Sequence, residues 1–142
     1  MSDYDTDILR WSEHQARFLR RLGAGEQVNS QIDWDNVVEE IESVGREQLH
    51  AVESLLTQAL IHMLKAEAWP LSSAVPGWQA EARLFRRQAK RRFAPSMRQK
   101  IDLAGLYSDA LAGLPETIDG QPPLPVPTNC PVTLDEMLDR TE

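Results

Sequence analysis

The chain has 142 residues, with 22 acidic and 15 basic side chains and a formal net charge of −7 at pH 7. This length suits one domain that buries roughly two-thirds of its unfolded surface without disulfides or metal ions. No apolar run approaches the ~20 residues needed to cross a bilayer, and the acidic N-terminus lacks a signal-peptide core. The single cysteine excludes an internal disulfide and is typical of a reducing compartment, so we expect a cytoplasmic protein without membrane contact.

Charge is segregated into three blocks along the chain. Residues 1–77 carry 13 acidic and 6 basic side chains, residues 78–101 carry 1 and 8, and residues 102–142 carry 8 and 1. The blocks therefore have net charges of −7, +7 and −7. Such segregation favours attraction between oppositely charged surfaces, either within the chain or with a partner.

The first predicted helix runs from about Asp5 to Leu22. Apolar residues recur there at steps of three and four, which is the spacing of one helix face. Asp5 or Thr6 is placed to cap its N-terminus, and Gly23 and Gly25 are placed to end it, since glycine readily adopts the left-handed conformation that closes a helix.

A second helical pattern covers Ile32 to Lys65. Asp33 is the predicted N-cap, and Ile32 and Val37 occupy the two positions of a hydrophobic staple around it. Unbroken, this helix would be roughly 50 Å long, whereas a compact domain of this size is only about 37 Å across. Because glycine weakens a helix, we predict a bend or break near Ser43–Gly45.

The remaining elements follow from turn and capping signals. Residues 70–77 read as a loop, and a third helix is predicted from Trp78 to Phe93. Ser96 and Gln99 have capping-box spacing, which predicts a fourth helix from there to about Gly113.

The C-terminal part of the chain has a different composition. Six prolines between residues 115 and 131 predict an extended arm, and capping-box spacing of Thr133 and Glu136 predicts a short terminal helix, TLDEMLDR. The expected architecture is all-α and single-domain: residues 1–114 form a helical bundle of about four main helices, and residues 115–142 form the arm and short helix packed on it.

Several sequence segments together resemble a known bacterial family. These are YDTDILRWSEHQARFLR, DWDNVVEEIESVGR and LLTQALIHMLK, followed by an arginine-rich segment opening on Trp78 and the tail NCPVTLDEMLD. In this order they are similar to the domain-of-unknown-function family numbered twenty-nine, which is prominent in cyanobacteria. The resemblance covers nearly the whole chain and implies a small one-domain, all-helical protein. It implies no activity, cofactor or catalytic residue.

One candidate site lies on the second predicted helix. Glu47 and His50 form a Glu-x-x-His pair, the spacing found in di-metal sites of helical bundles, with Glu53 and His62 on the same helix. No second Glu-x-x-His pair exists in the chain, so a di-metal site is incomplete, whereas a zinc site needs fewer ligands. The alternative is a solvated acidic face, which we favour, and we expect no cofactor.

A second set of residues is expected to serve the structure. Arg46 can bridge to Glu39 or Glu42, and His62 and Lys65 lie one turn apart beside the apolar stripe. A histidine or glutamate with its pKa moved toward neutrality in a pocket would instead indicate general acid–base chemistry. We favour the structural interpretation for these five residues.

The third candidate is the basic helix. Its partner-binding candidates share one segment with charge of a single sign; they are Arg83, Arg86, Arg87, Lys90 and Arg91. Such a helix can bind phosphates, nucleic acid or an acidic protein surface. Alternatively, it packs beside the acidic region 39–53 and its arginines form ion pairs within the chain. The overall charge of −7 disfavours nucleic acid.

These patterns leave three hypotheses for function. The favoured one is a non-enzymatic interaction or regulatory module that uses the basic helix to bind another protein or a second copy of the chain. The second is a metal-dependent or general-base enzyme centred on Glu47, His50, Glu53 and His62. The third is nucleic-acid binding through residues 83–100.

Overall fold

The structure, a computed structural model, describes residues 2–139. It is 67% helical and contains no β-strand within those residues, which confirms the predicted all-α class. In the described part of the chain the α-helices are α1 (Asp3–Thr6), α2 (Ile8–Gly23), α3 (Trp34–Ala68), α4 (Val75–Arg92), α5 (Leu103–Ala112) and α6 (Leu134–Met137). The chain divides into two compact units, Met1–Arg46 and Glu47–Glu142, and α3 contributes residues to both.

The first unit is organised around one buried tryptophan. Trp11 of α2 is buried in a cluster with Ile32 and Val37, the two residues predicted to form the hydrophobic staple. The Tyr4 ring packs edge-on against Trp11, with 4.8 Å between ring centroids. The indole Nε1 of Trp11 donates a hydrogen bond to Asp33 Oδ2 at 3.0 Å, so the buried ring has no unsatisfied donor.

Asp33 joins this cluster to the start of α3. Its carboxylate accepts a hydrogen bond from Asn36 Nδ2 at 2.8 Å in addition to that from Trp11, and its backbone carbonyl accepts from Val37 N. The Asn36 side chain, followed by Trp11, lowers the pKa of Asp33 below its usual value, because both donate to the ionised form. The predicted N-cap position is therefore occupied by a carboxylate held in place from two sides.

We expect Asp33→Ala to lower the free energy of unfolding by about 0.5–2 kcal/mol, the usual range for loss of an N-cap. A group whose folded pKa is depressed stabilises the fold above its unfolded pKa, and this contribution is lost as pH falls through the folded pKa. Asp33→Asn keeps a capping oxygen and removes the titration. Urea unfolding followed by circular dichroism should therefore show a wild-type advantage over Asp33→Asn near neutral pH that disappears in acid; an advantage independent of pH would contradict this assignment.

The N-terminal helix differs from the prediction at its start. A separate turn of helix, α1, ends at Thr6, and Asp7 then leaves helical geometry with φ −152° and ψ 80°. The Asp7 carboxylate accepts a hydrogen bond from Arg10 N at 3.1 Å, so Asp7 caps α2 instead of Asp5 or Thr6. The helix ends within one residue of the predicted Leu22, but Gly23 is itself helical, and the left-handed conformation is adopted by Gly25, with φ 93°.

The predicted break in the long helix is wrong. α3 is helical through all of Trp34–Ala68, including Ser43–Gly45. One glycine costs a helix only about 1 kcal/mol, which the cooperative hydrogen bonds on both sides offset. The length argument assumed a single compact body, whereas the boundary between the two units falls inside this helix, at residues 46 and 47.

Gly45 has no local requirement for glycine. A Cβ atom built there would have no heavy atom within 4 Å, and the residue lies inside a regular helix. Gly25 has the same open space but a φ of +93°, which side chains rarely adopt. We expect Gly45→Ala to raise the free energy of unfolding by about 0.5–1 kcal/mol and the matched control Gly25→Ala to lower it, as measured by chemical denaturation. Destabilisation by Gly45→Ala would show that this position needs glycine for another reason.

The second unit has its core along the later turns of α3. Val52, Leu56, Leu60 and Leu64 recur at steps of four and are buried on one face. That face packs against residues from the other helices of the unit and from the C-terminal segment, namely Ala89, Phe93, Met97, Tyr107, Ala110, Met137 and Leu138. Met137 and Leu138 are among the most deeply buried side chains, so the short helix α6 is part of this core.

Two helix starts in the second unit were predicted incorrectly. α4 begins at Val75, earlier than Trp78, because Pro76 lies in its first turn, where a missing N–H costs nothing. Ser96 does not open the next helix: Pro95–Met97 form only a short 3-10 turn. The start of α5 is set by Asp102, whose carboxylate accepts a hydrogen bond from Gly105 N at 3.2 Å.

The proline-rich arm is tied to the helices by its backbone. Trp69 Nε1 donates to the carbonyl of Gln121 at 2.8 Å, and Tyr107 Oη donates to the carbonyl of Pro127 at 2.5 Å. The predicted capping box is confirmed, since Thr133 and Glu136 each donate a backbone N–H to the other's side chain. The last residue of the predicted helix, Arg140, lies outside the described residues.

No helix in the described part of the chain combines the length and the apolar character needed to cross a membrane.

Candidate functional site

The basic side chains of α4 line a groove in the second unit. The groove, called here the basic groove, has a volume of about 660 Å³ and contains all five predicted partner-binding residues. Its other wall is the end of α6. The lining residues are Arg83, Arg86, Arg87, Lys90, Arg91, Met137, Leu138 and Asp139.

The spacing along α4 explains why these cations share one wall. Steps of three and four residues place side chains on the same helix face, one turn apart. Ala82 and Ala89 occupy the opposite, buried face of α4, with Phe85 half-buried beside them. The small alanines let α4 approach the core, and the charged face is left pointing outward.

Two of the cations hold α6 in place. Arg86 donates from Nε to the Met137 carbonyl at 3.0 Å and from Nη2 to the Glu136 carbonyl at 2.5 Å, and Lys90 Nζ donates to the Asp139 carbonyl at 3.3 Å. The last carbonyls of a helix have no partner within the helix and carry its partial negative charge. Arg86 and Lys90 therefore complete the C-terminal end of α6.

The other cations form no ion pair among the described residues, although Asp139 lines the same groove. Arg83, Arg87 and Arg91 are exposed, and no Asp or Glu among residues 2–139 lies within ion-pair distance of any of them. The alternative prediction, that these arginines pair with the acidic region of the long helix, is therefore not what the described residues show. Five like charges on one wall repel one another and attract an anionic ligand.

The anchoring role of Arg86 can be separated from its charge. We expect Arg86→Ala to lower the free energy of unfolding by roughly 1–3 kcal/mol, because it removes the donor to the Met137 carbonyl and one of the two donors to the Glu136 carbonyl, which also accepts from Asp139 N. Arg87→Ala, which removes an equal charge from the next position, should leave stability within about 0.5 kcal/mol. Thermal or urea unfolding of the two variants checks this. An equal loss of stability in the two variants would contradict an anchoring role specific to Arg86.

His62 is held from both sides. Its Nδ1 lies 2.8 Å from the Gln58 carbonyl and its Nε2 lies 2.5 Å from Glu81 Oε2, while its ring lies 5.4 Å from that of Phe85. Both nitrogens therefore face hydrogen-bond acceptors of the chain itself.

The other residues of the proposed metal site do not join His62. Glu47 and His50 are exposed and Glu53 is half-buried. Within residues 2–139, no three His, Cys, Asp or Glu side chains come together in a way that could hold a metal ion. The partner of His62 is instead Glu81, on a different helix.

Of the five predicted structural residues, Arg46 bridges to Glu39 and Glu42, but at the surface. Arg46 lies 2.6 Å from Glu39 and 3.8 Å from Glu42, and all three side chains are at least half exposed. Pairs of this kind contribute little, since water screens them. Lys65 lies 6.0 Å from the centre of the Trp78 ring, a cation–π contact between α3 and α4.

Two features of the site were missed in the sequence. Glu81 is the one acidic residue in the basic block 78–101, and that isolation was the available signal for a paired carboxylate. The anchoring of α6 by Arg86 could not be recognised in the sequence, because Arg86 donates to backbone carbonyls. Any residue type at positions 136 and 137 supplies such an acceptor.

The chain is an all-α protein with a groove lined by basic side chains of α4. It belongs to the family described as "Domain of unknown function DUF29", whose pattern matches residues 4–141, and the family predicted from the sequence is thereby confirmed. Among solved structures, it is similar to an alpha-helical protein of unknown function from Rhodospirillum rubrum ATCC 11170. The two share 26% identity with a TM-score of 0.69, over 98% of this chain and 90% of that one. Comparison with curated proteins gave no match.

Proposed function

We propose that this protein is a non-enzymatic interaction module of the bacterial cytoplasm that binds an acidic segment of another protein in the basic groove. The observation that carries the proposal is the set of exposed arginines, Arg83, Arg87 and Arg91, which line the groove without a carboxylate partner among residues 2–139. Guanidinium groups favour carboxylate ligands, because their planar fork of donors matches the two carboxylate oxygens.

The shape of the groove supports a peptide segment over a small molecule. A site of about 660 Å³ between a helix and the segment that follows α6 is elongated by the spacing of its cations, which extend over about two turns of α4 from Arg83 to Arg91. Its apolar residues, Met137 and Leu138, are almost completely buried and offer little surface to an apolar ligand. Recognition therefore depends on charge, with Arg86 and Lys90 holding the opposite wall.

The overall charge of the chain supports a protein partner over nucleic acid. With a net charge of −7, the rest of the surface repels a long polyanion such as DNA, whereas a short acidic segment contacts only the groove.

The test uses a fluorescently labelled polyglutamate peptide and fluorescence anisotropy. The double variant Arg87→Glu with Arg91→Glu should bind it at least about tenfold more weakly, because two attractive contacts become repulsive. The matched control, Arg17→Glu with Arg20→Glu, makes the same charge change on exposed positions of α2 and should bind within about twofold of wild type.

Two outcomes contradict the proposal. Equal weakening by the two double variants would show that net charge, and not the groove, determines binding. A single-stranded oligonucleotide of matched charge that binds more tightly than the peptide, with a steep dependence on salt, would favour the nucleic-acid hypothesis instead.

A further inference from the structure

The first turns of α3 leave a row of large apolar side chains in water. Trp34, Val38, Ile41 and Val44 have relative exposures of 42%, 48%, 68% and 62%. Together they leave roughly 400 Å² of mainly apolar surface exposed, a size at which a patch on a single protein is often a binding site. Isolated exposed residues need no explanation, but four within three turns of one helix do.

The row has the spacing of a coiled-coil seam. Trp34, Val38, Ile41 and Gly45 follow one another at steps of four, three and four, which are the core positions of a heptad. The orientation of the Trp34 ring is fixed by a hydrogen bond from its Nε1 to the Asn29 carbonyl at 3.1 Å, and the ring remains partly exposed. A fixed, exposed tryptophan at the end of an apolar row is typical of an anchor for a partner.

Gly45 fits the same interpretation. Nothing in its surroundings requires glycine, because no atom lies within 4 Å of the place where a Cβ would stand. A glycine on the seam allows a second helix to approach closely, which a larger side chain at this core position would prevent.

One edge of the seam is acidic. Asp35 and Glu42 occupy the heptad positions that flank it, and Glu39 lies beside them, with Arg46 as the one cation, paired to Glu39 and Glu42. A second copy docked here would bring acidic edges together. The apolar area is also about half of the ~800 Å² that each partner contributes to a stable interface.

We propose that this seam of α3 is a docking site for one amphipathic helix of a different protein, with apolar residues at its heptad core positions and lysine or arginine at its flanks. A single helix needs only a narrow apolar row for its core positions, and its basic flanks complement Asp35 and Glu42. This site lies in the first unit and takes a ligand of opposite charge to that of the basic groove.

The probe is a designed helical peptide with leucine and isoleucine at core heptad positions and lysine at the flanks, compared with the same peptide carrying glutamate flanks. By fluorescence anisotropy, the lysine peptide should bind at least about tenfold more tightly than the glutamate peptide. The double variant Asp35→Lys with Glu42→Lys should reverse this preference.

Ile41→Asp should weaken binding of the lysine peptide at least about tenfold, while Leu71→Asp, the same change at a side chain that is 99% exposed, should leave binding within about twofold. Both positions are exposed, and circular dichroism checks that both variants fold. The variant Arg87→Glu with Arg91→Glu should bind the lysine peptide as wild type does. The proposal for the basic groove and the proposal for the seam can therefore fail independently of each other.

Three results would overturn the proposal. One is a lysine peptide that does not bind, and another is equal weakening by Ile41→Asp and Leu71→Asp. The third is a wild-type protein that sediments as a dimer or larger oligomer and becomes monomeric with Ile41→Asp, which would make a second copy the occupant of the seam.

Discussion

The two surfaces described above depend on one helix, α3, whose apolar side chains are exposed along its first turns and buried along its later turns. From Val52 to Leu64 the helix buries an apolar face in the core of the second unit, whereas from Val38 to Val44 the same kind of side chain faces water. The buried turns fix the helix by removing apolar area from water, at about 25 cal/mol per Å². The exposed turns depend on helix cooperativity and on another side of the helix, where Val37 is buried in the cluster with Trp11 and Ile32. The helix α3 thus contributes to the core of the second unit and also leaves apolar side chains exposed in the first unit.

Local signals in the sequence predicted the fold class and several element ends. Thr133 with Glu136 and Asp33 with its flanking apolar residues were found because a cap and its target lie within four residues of each other. The predicted break at Gly45 failed for a different reason. It rested on the size of one compact body, and no local pattern shows that the chain forms two.

The candidate site was predictable only in part. A run of arginines at helical spacing is visible in the sequence, and those residues do line the groove. Its opposite wall is formed by residues about fifty positions further along the chain, and the bonds that hold it there end on backbone carbonyls. Side-chain patterns cannot report acceptors that every residue possesses. The same limit applies to His62, whose partner Glu81 lies on another helix.

The proline-rich arm has a consequence for how the family diverges. Its two indole and phenol anchors, Trp69 and Tyr107, both donate to main-chain oxygens of the arm, those of Gln121 and Pro127. Most side chains of residues 115–125 are exposed and take no part in these bonds, whereas Val126 and Cys130 pack against the core. We therefore expect relatives to replace residues 115–125 freely while the chain keeps its path, provided that the aromatic donors at positions 69 and 107 remain. Sequence alignments would then lose this stretch first, even where its path is preserved.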